Sequence, residues 1–308
     1  MAPGTDTAMG RPRVGVSSCL LGDRVRYDAG HKRLDVVAGV IGDHVEWVRV
    51  CPELEVGMGV PREPVRLLRG PGGPRMTGVE SGRDWTSEMR AWASRRLASL
   101  GTLDGFVLKA RSPSCGPRDV PVAGSPAPGG GLWARHLASA LPGLALADED
   151  HLQDPEARHH FLERVFGARR WHAFLSAERR DGDLARFHDH HHLQIQARGP
   201  ERAADLRALA ASAGSRASLD DLAGYGEVFT SALADRCLPD SAADALRPLA
   251  PHSRPQLLEA VSAYEAGDVG LDRVILLVVG ARGDAGSLPS VLHPYPLDLL
   301  DRLAGAGG

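Results

Sequence analysis

Cys19, Cys51 and Cys115 are the residues of this chain best suited to chemistry, because each follows the end of a short apolar run. Arg13-Val14-Gly15-Val16 leads through Ser17-Ser18 to Cys19, and Glu46-Trp47-Val48-Arg49-Val50 runs directly into Cys51-Pro52-Glu53. Gly105-Phe106-Val107-Leu108 precedes the loop Lys109-Ala110-Arg111-Ser112-Pro113-Ser114-Cys115-Gly116. Structural zinc takes four ligands, often in closely spaced C-x-x-C pairs, and neither condition is met. A set of three thiolates suits soft metals, and an iron-sulfur cube held by three cysteines leaves one iron free as a Lewis acid and template.

Two side chains stand beside these thiols in sequence. Glu53 lies just after Cys51 and Ser112 just before Cys115, so both could face an open iron. A carboxylate there is a general base for water, and a serine hydroxyl can donate to or relay from a substrate. As purely structural residues they would be a cap and a turn contact. Lys109 is a functional cation or a charge at a strand end. Arg26, Tyr27 and Asp28, in the polar loop after Cys19, touch a ligand or tie that loop down.

The elements that must position these groups read as a parallel sheet. Three apolar runs separated by helix-length sequence predict parallel strands with crossover helices. In such sheets ligands bind outside the carboxyl ends of the strands, which brings the three thiols to one edge. Val65-Arg66-Leu67-Leu68 is expected as an edge strand and Leu144-Ala145-Leu146-Ala147 as the last strand. Asp84 or Thr86 should cap a helix carrying Met89, Trp92, Ala93, Arg96 and Leu97 at helical spacing, and Leu132–Ala138 should form another helix. Asp148-Glu149-Asp150 is read as a domain boundary. The glycines after Cys51 are too scattered for a phosphate-binding fingerprint.

At 308 residues and 43% hydrophobic, the chain has the length of roughly two domains. A net charge of -3 argues against bulk electrostatic binding to nucleic acid or anionic membrane. No segment approaches the ~20 apolar residues of a membrane span, and the start lacks a signal-peptide core, so the expected location is the cytoplasm. Four cysteines in so long a chain are not a disulfide scaffold. Cys237 reads as a small buried hydrophobe. Residues 1–12 read as a disordered leader, 13–150 as an α/β domain and 151–308 as a mostly helical domain. The run Val274–Val279 is a strand or a buried helix. His188, His191 and His192 share one helix face, where the packed or solvated face is preferred over a metal site.

Together these segments carry a resemblance. Ser18-Cys19-Leu20-Leu21-Gly22, Val25-Arg26-Tyr27-Asp28, Cys51-Pro52-Glu53, Gly59-Val60-Pro61-Arg62 and Ser112-Pro113-Ser114-Cys115-Gly116 resemble, in order, the 2-thiouracil desulfurase family, domain of unknown function 523. The resemblance implies a 4Fe-4S cluster on Cys19, Cys51 and Cys115 and redox-neutral removal of sulfur from a thiolated pyrimidine. Sulfur would pass to the open iron, water oxygen would replace it, and sulfide would leave. The implied catalytic pair is Glu53 and Ser112, with Ser114, Lys109, Arg26, Tyr27 and Asp28 placed to hold the substrate. Phe161–Phe166, Phe187–His191 and His293–Leu300 resemble a second, YbgA-like family, domain of unknown function 1722. The rival reading is an iron-sulfur or zinc sensing module with the helical half as a partner-binding module.

Overall fold

The computed structural model of the chain describes residues 10–178, 180–236, 259–260, 262–264 and 295–305. Most of the expected leader, Cys237, the run 274–279 and His293-Pro294 lie outside the described residues. Two compact units divide the chain, one formed by Arg11–Ala157 and the other containing Arg158–Gly308.

The first unit contains seven strands among its described residues: β1 (Arg13–Ser17), β2 (Glu46–Val50), β3 (Val65–Leu68), β4 (Arg75–Gly78), β5 (Gly105–Leu108), β6 (Val122–Ala123) and β7 (Leu146–Asp148). Four of them form one parallel sheet in the order β2-β1-β5-β7. Val16 lies opposite Arg49 and Val107, so β1, β2 and β5 end along one edge. Central strands of such a sheet are covered on both faces, and β5 is buried at every position. Gly15 is needed in β1 because a Cβ there would lie 2.1 Å from the Phe106 ring.

Helices cover the sheet: α1 (Pro52–Glu55), α2 (Thr86–Leu100), α3 (Leu132–Ala140) and α4 (Glu149–Gln153). At the start of α2, Asp84 Oδ1 accepts the Thr86 N–H at 2.9 Å and Thr86 Oγ1 accepts the Met76 N–H at 2.9 Å. Met89, Trp92 and Ala93 of α2 are buried in a core with Phe106 and with Trp133 and Leu137 of α3. The Trp92 and Trp133 ring centroids are 5.0 Å apart. Side chains of this size each contribute about 2–3 kcal/mol by leaving water.

Two expectations are corrected. Val65–Leu68 is not an edge strand but the middle of a second sheet, order β4-β3-β6, because both its edges are paired and Leu67 is buried there. The last strand sits slightly later than expected, since Leu144 closes a turn onto Leu141. The residues of the acidic run have definite places in the first unit. Asp148 ends β7 and caps α4 by accepting the His151 N–H at 3.0 Å, and Glu149 reaches back to the cysteine loop.

The described residues of the second unit are mostly helical, in α5 (Pro155–Ser176, which starts just before the division between the units), α6 (Asp183–Gln196), α7 (Pro200–Ser212), α8 (Leu219–Ala234) and α9 (Leu297–Gly305). Trp171, Phe187, Tyr225 and Phe229 form its aromatic core. The histidine face of α6 is mostly packed: His188 meets Tyr225 Oη at 3.2 Å, and His191 Nε2 accepts from Arg170 Nε at 2.9 Å. Among the described residues, no helix is long and apolar enough to cross a membrane.

Candidate active site

Each thiol is delivered by a different strand end. After β1 the chain makes a 3-10 turn, Ser18–Leu21, that stops at Gly22, whose φ of 100° lies in the left-handed region open to glycine. The Cys19 carbonyl then accepts the Lys32 N–H at 2.9 Å, tying down the returning loop. After β2, Cys51 opens α1, and its N–H is held by Glu55 Oε1 at 3.0 Å. Pro52, with its fixed φ and no N–H, suits the first helical position.

The third thiol rests on the start of α3. The Ser114 carbonyl accepts the Trp133 N–H at 2.9 Å, the Pro113 carbonyl accepts that of Leu132 at 3.1 Å, and the Gly116 carbonyl accepts that of Gly131 at 2.8 Å. These bonds satisfy helix donors that would otherwise lack partners. The approach is so close that a Cβ on Gly131 would lie 2.5 Å from the Ser114 backbone. Ser112 Oγ accepts the N–H groups of Cys115 at 3.1 Å and Ser114 at 3.3 Å, which closes the loop from within. Trp133 itself is fully buried, so the loop is anchored to the core.

Cys19, Cys51 and Cys115 line one cavity of about 280 Å³, together with Arg26, Tyr27, Glu53, Lys109, Ser112 and Ser114. The structure thus brings together every candidate residue except Asp28, which lies outside that lining. The Asp28 carboxylate instead accepts the Gly30 N–H at 3.0 Å and faces Arg26 at 3.6 Å, contacts that tie the loop down. The Arg26 guanidinium lies 5.3 Å from the centroid of the Tyr27 ring.

Glu53 is held in the cavity through both of its carboxylate oxygens. Its Oε2 accepts from Arg62 Nη2 at 2.6 Å and Nε at 3.1 Å, while its Oε1 accepts the Ser114 hydroxyl at 2.6 Å. Arg62 is fixed in turn by the carbonyls of Val25 at 3.0 Å and Gly59 at 2.9 Å. Ser112 Oγ is 3.0 Å from Ser114 Oγ. Because the Ser112 oxygen already accepts two N–H groups, its hydrogen is free to go to Ser114, whose hydrogen goes to Glu53.

Arg62 and Glu149 were not singled out from the sequence. Arg62 stands in the quoted Gly59–Arg62 segment, but nothing in its spacing points to Glu53. Glu149 is hidden within an acidic run. Its carboxylate pairs with Lys109 Nζ and accepts the Ala110 N–H at 2.6 Å.

The three thiols are free of disulfides. Burial pushes the pKa of all three thiols above the ordinary thiol value, with the Cys51 thiol adding to the rise at Cys19, which reaches about 11. Held as thiolates at neutral pH, they need a positive centre among them. Among the described residues, no three Cys, His, Asp or Glu side chains are placed to hold a single metal ion. Three soft donors around a cavity larger than one ion fit an iron-sulfur group.

A parallel α/β sheet that gathers three thiols and a carboxylate-hydroxyl pair at its carboxyl edge defines an α/β protein with a cysteine-lined pocket. The chain belongs to the 2-thiouracil desulfurase family, whose model matches residues 14–149. The uncharacterized protein YbbK of Bacillus subtilis (strain 168) is 32% identical over 149 residues, covering 45% of this chain and 97% of that protein. A solved structure titled as the 4Fe-4S-dependent thiouracil desulfidase TudS is 30% identical, covering 46% of this chain and 94% of that one, with a TM-score of 0.39.

Proposed function

We propose that the first unit removes sulfur from a small thiolated pyrimidine by hydrolysis, without net electron transfer. The observation that carries this reading is that Cys19, Cys51 and Cys115 share one cavity with the Glu53–Ser114 pair. Family membership supplies the substrate class. The three cysteines are the proposed ligands of a 4Fe-4S cluster, which when bound supplies a Lewis-acidic iron without a protein ligand for the substrate sulfur.

The chain's own groups then handle water and protons. Water gives a proton to Glu53 Oε1 and its oxygen adds to the thiocarbonyl carbon; sulfide leaves and the carbonyl forms. C=S and H₂O thus become C=O and H₂S, with atoms and electrons balanced. Arg62 keeps Oε2 occupied and the carboxylate turned so that Oε1 faces Ser114 and the cavity. The Ser114 hydroxyl orients that oxygen, and Ser112 holds Ser114. In this reading Lys109, with Arg26 and Tyr27, orients the ring, and Glu149 keeps the Lys109 ammonium from swinging onto the thiols.

The helical unit is assigned to the YbgA-like class on the strength of Phe161–Phe166 and Phe187–His191, which form parts of α5 and α6. The enzyme is expected to work in the cytoplasm, where thiols stay reduced. Metal analysis of anaerobically purified protein tests the reading. Iron and acid-labile sulfide in equal amounts, lost in Cys19→Ala, Cys51→Ala and Cys115→Ala, are expected; a colourless zinc protein would refute it.

A further inference from the structure

We propose that Lys109 gives the proton with which sulfide leaves the cavity, and that Glu149 behind it draws a proton back. This inference rests on the reading above and deepens it. Lys109 and Glu149 come one residue after Leu108 and Asp148, which face each other across the β5–β7 pair, so both emerge at the same sheet edge. The Lys109 backbone N–H is held there by Ser17 Oγ at 3.0 Å. An ammonium has three N–H groups. One of those on Lys109 pairs with the Glu149 carboxylate, and one reaches the Ala110 carbonyl at 3.0 Å. The third has no partner among the described residues, and Lys109 lines the thiol cavity whereas Glu149 does not. The other Glu149 oxygen accepts the Ala110 N–H at 2.6 Å, which fixes the carboxylate behind the ammonium. Both side chains are mostly buried, 14% and 12% exposed.

Other groups lining the cavity are poorer donors. Arginine keeps its protons in proteins, which removes Arg26, Arg62 and Arg111, whereas a lysine ammonium can release one. The Ser114 hydrogen goes to Glu53 and the Ser112 hydrogen to Ser114. Tyr27 is 41% exposed, where water competes for its hydroxyl. In the proposed step the carbon–sulfur electron pair leaves with sulfur, and the carbon keeps the new bond to water oxygen. One water proton reaches Glu53 Oε1 and the other leaves the oxygen as the carbonyl forms. Sulfide, a strong base, takes a proton from Lys109 Nζ and departs as HS⁻. Solvent then returns a proton to Nζ, which the Glu149 carboxylate favours because an opposite charge favours the ammonium form. No electron is transferred.

The test is a single anaerobic turnover of the full iron-loaded chain at saturating 2-thiouracil, following uracil, released sulfide and the sulfide that stays with the protein after desalting. Lys109→Met should form uracil in the first turnover at close to the wild-type rate. Its sulfide release should slow by about 10²-fold, the scale of a lost general acid, with the extra sulfide retained on the protein. Lys109→Met combined with Glu149→Gln leaves no unpaired buried charge, so it decides the question if Lys109→Met alone does not fold. In Lys109→Ala, added ethylamine should restore release and ethylguanidine should not. Release at the wild-type rate from a folded, iron-loaded variant overturns the inference and leaves Glu53 to return its proton to sulfide. Equal rescue by the two cations also overturns it, because charge alone would then suffice, as does a uracil step slowed as much as release. A wild-type chain that forms no uracil refutes the functional reading, and this inference with it.

Discussion

Ser114 donates its hydroxyl to Glu53 Oε1 at 2.6 Å, joining the loop after β5 to the helix turn after β2. Ser112 reaches that carboxylate only through Ser114, and its own oxygen serves two backbone N–H groups. The two serines should therefore fail differently. Ser114→Ala should lower turnover by about 10-fold or more while the protein stays stable, because a group that orients the base is lost. Ser112→Ala should cost about 1–3 kcal/mol of stability, because two N–H groups lose their acceptor. Thermal unfolding and turnover measured on both variants check this; a fully stable Ser112→Ala protein would put Ser112, and not Ser114, in the chemical role.

Glu53→Gln separates cluster assembly from chemistry. Glutamine keeps the size and part of the hydrogen bonding but cannot take a proton at Oε1. Iron content and colour should match wild type while turnover falls by ~10²-fold or more. Arg62→Ala should be worse for folding, since it leaves a mostly buried carboxylate without its partner, at a cost of about 3 kcal/mol. Denaturant unfolding of the two variants distinguishes them: Glu53→Gln should unfold at clearly higher denaturant than Arg62→Ala.

Gly15→Ala should destabilise the first unit by about 1–3 kcal/mol, because the new Cβ overlaps the Phe106 ring, which packs against Trp133. The ring cannot retreat without moving Trp133, whose N–H holds the cysteine loop. Lowered thermal stability together with weaker cluster retention is the expected result, and an unchanged melting temperature would contradict this packing account.

The strands and the thiols were legible in the sequence because both are local signals. An apolar run ending in a cysteine can be read without knowing its neighbours, and parallel strands force such ends to one edge. The partners of Glu53 were not legible in this way. Arg62 and Ser114 reach it through loops whose shapes depend on tertiary contacts such as the Val25 carbonyl and the start of α3. Val65–Leu68 was mistaken for an edge because, although its neighbour β4 follows it directly, the pairing on its other side comes from β6, far along the chain. Glu149 looked like one charge in an acidic run, where nothing local separates a boundary from a buried pair with Lys109.

The start of α2 gives a prediction in pH. The Thr86 hydroxyl and N–H, then Arg75, hold the Asp84 carboxyl down from its ordinary 3.8 to about 2. A lowered folded value means that its contribution is present above about pH 3.8 and is lost as the pH falls through about 2. Asp84→Asn should flatten the fall in stability over that window and leave the neutral-pH dependence unchanged. Thermal melts across the acid range check this, and an identical acid slope in the variant would contradict it.

The most direct measurement is anaerobic incubation of the iron-loaded chain with 2-thiouracil, without any reductant, following uracil and sulfide together. The account predicts uracil and sulfide in equal amounts over many turnovers, with activity abolished in Cys51→Ala. Iron-loaded protein that leaves 2-thiouracil intact, or that releases sulfide only when electrons are supplied, would contradict it.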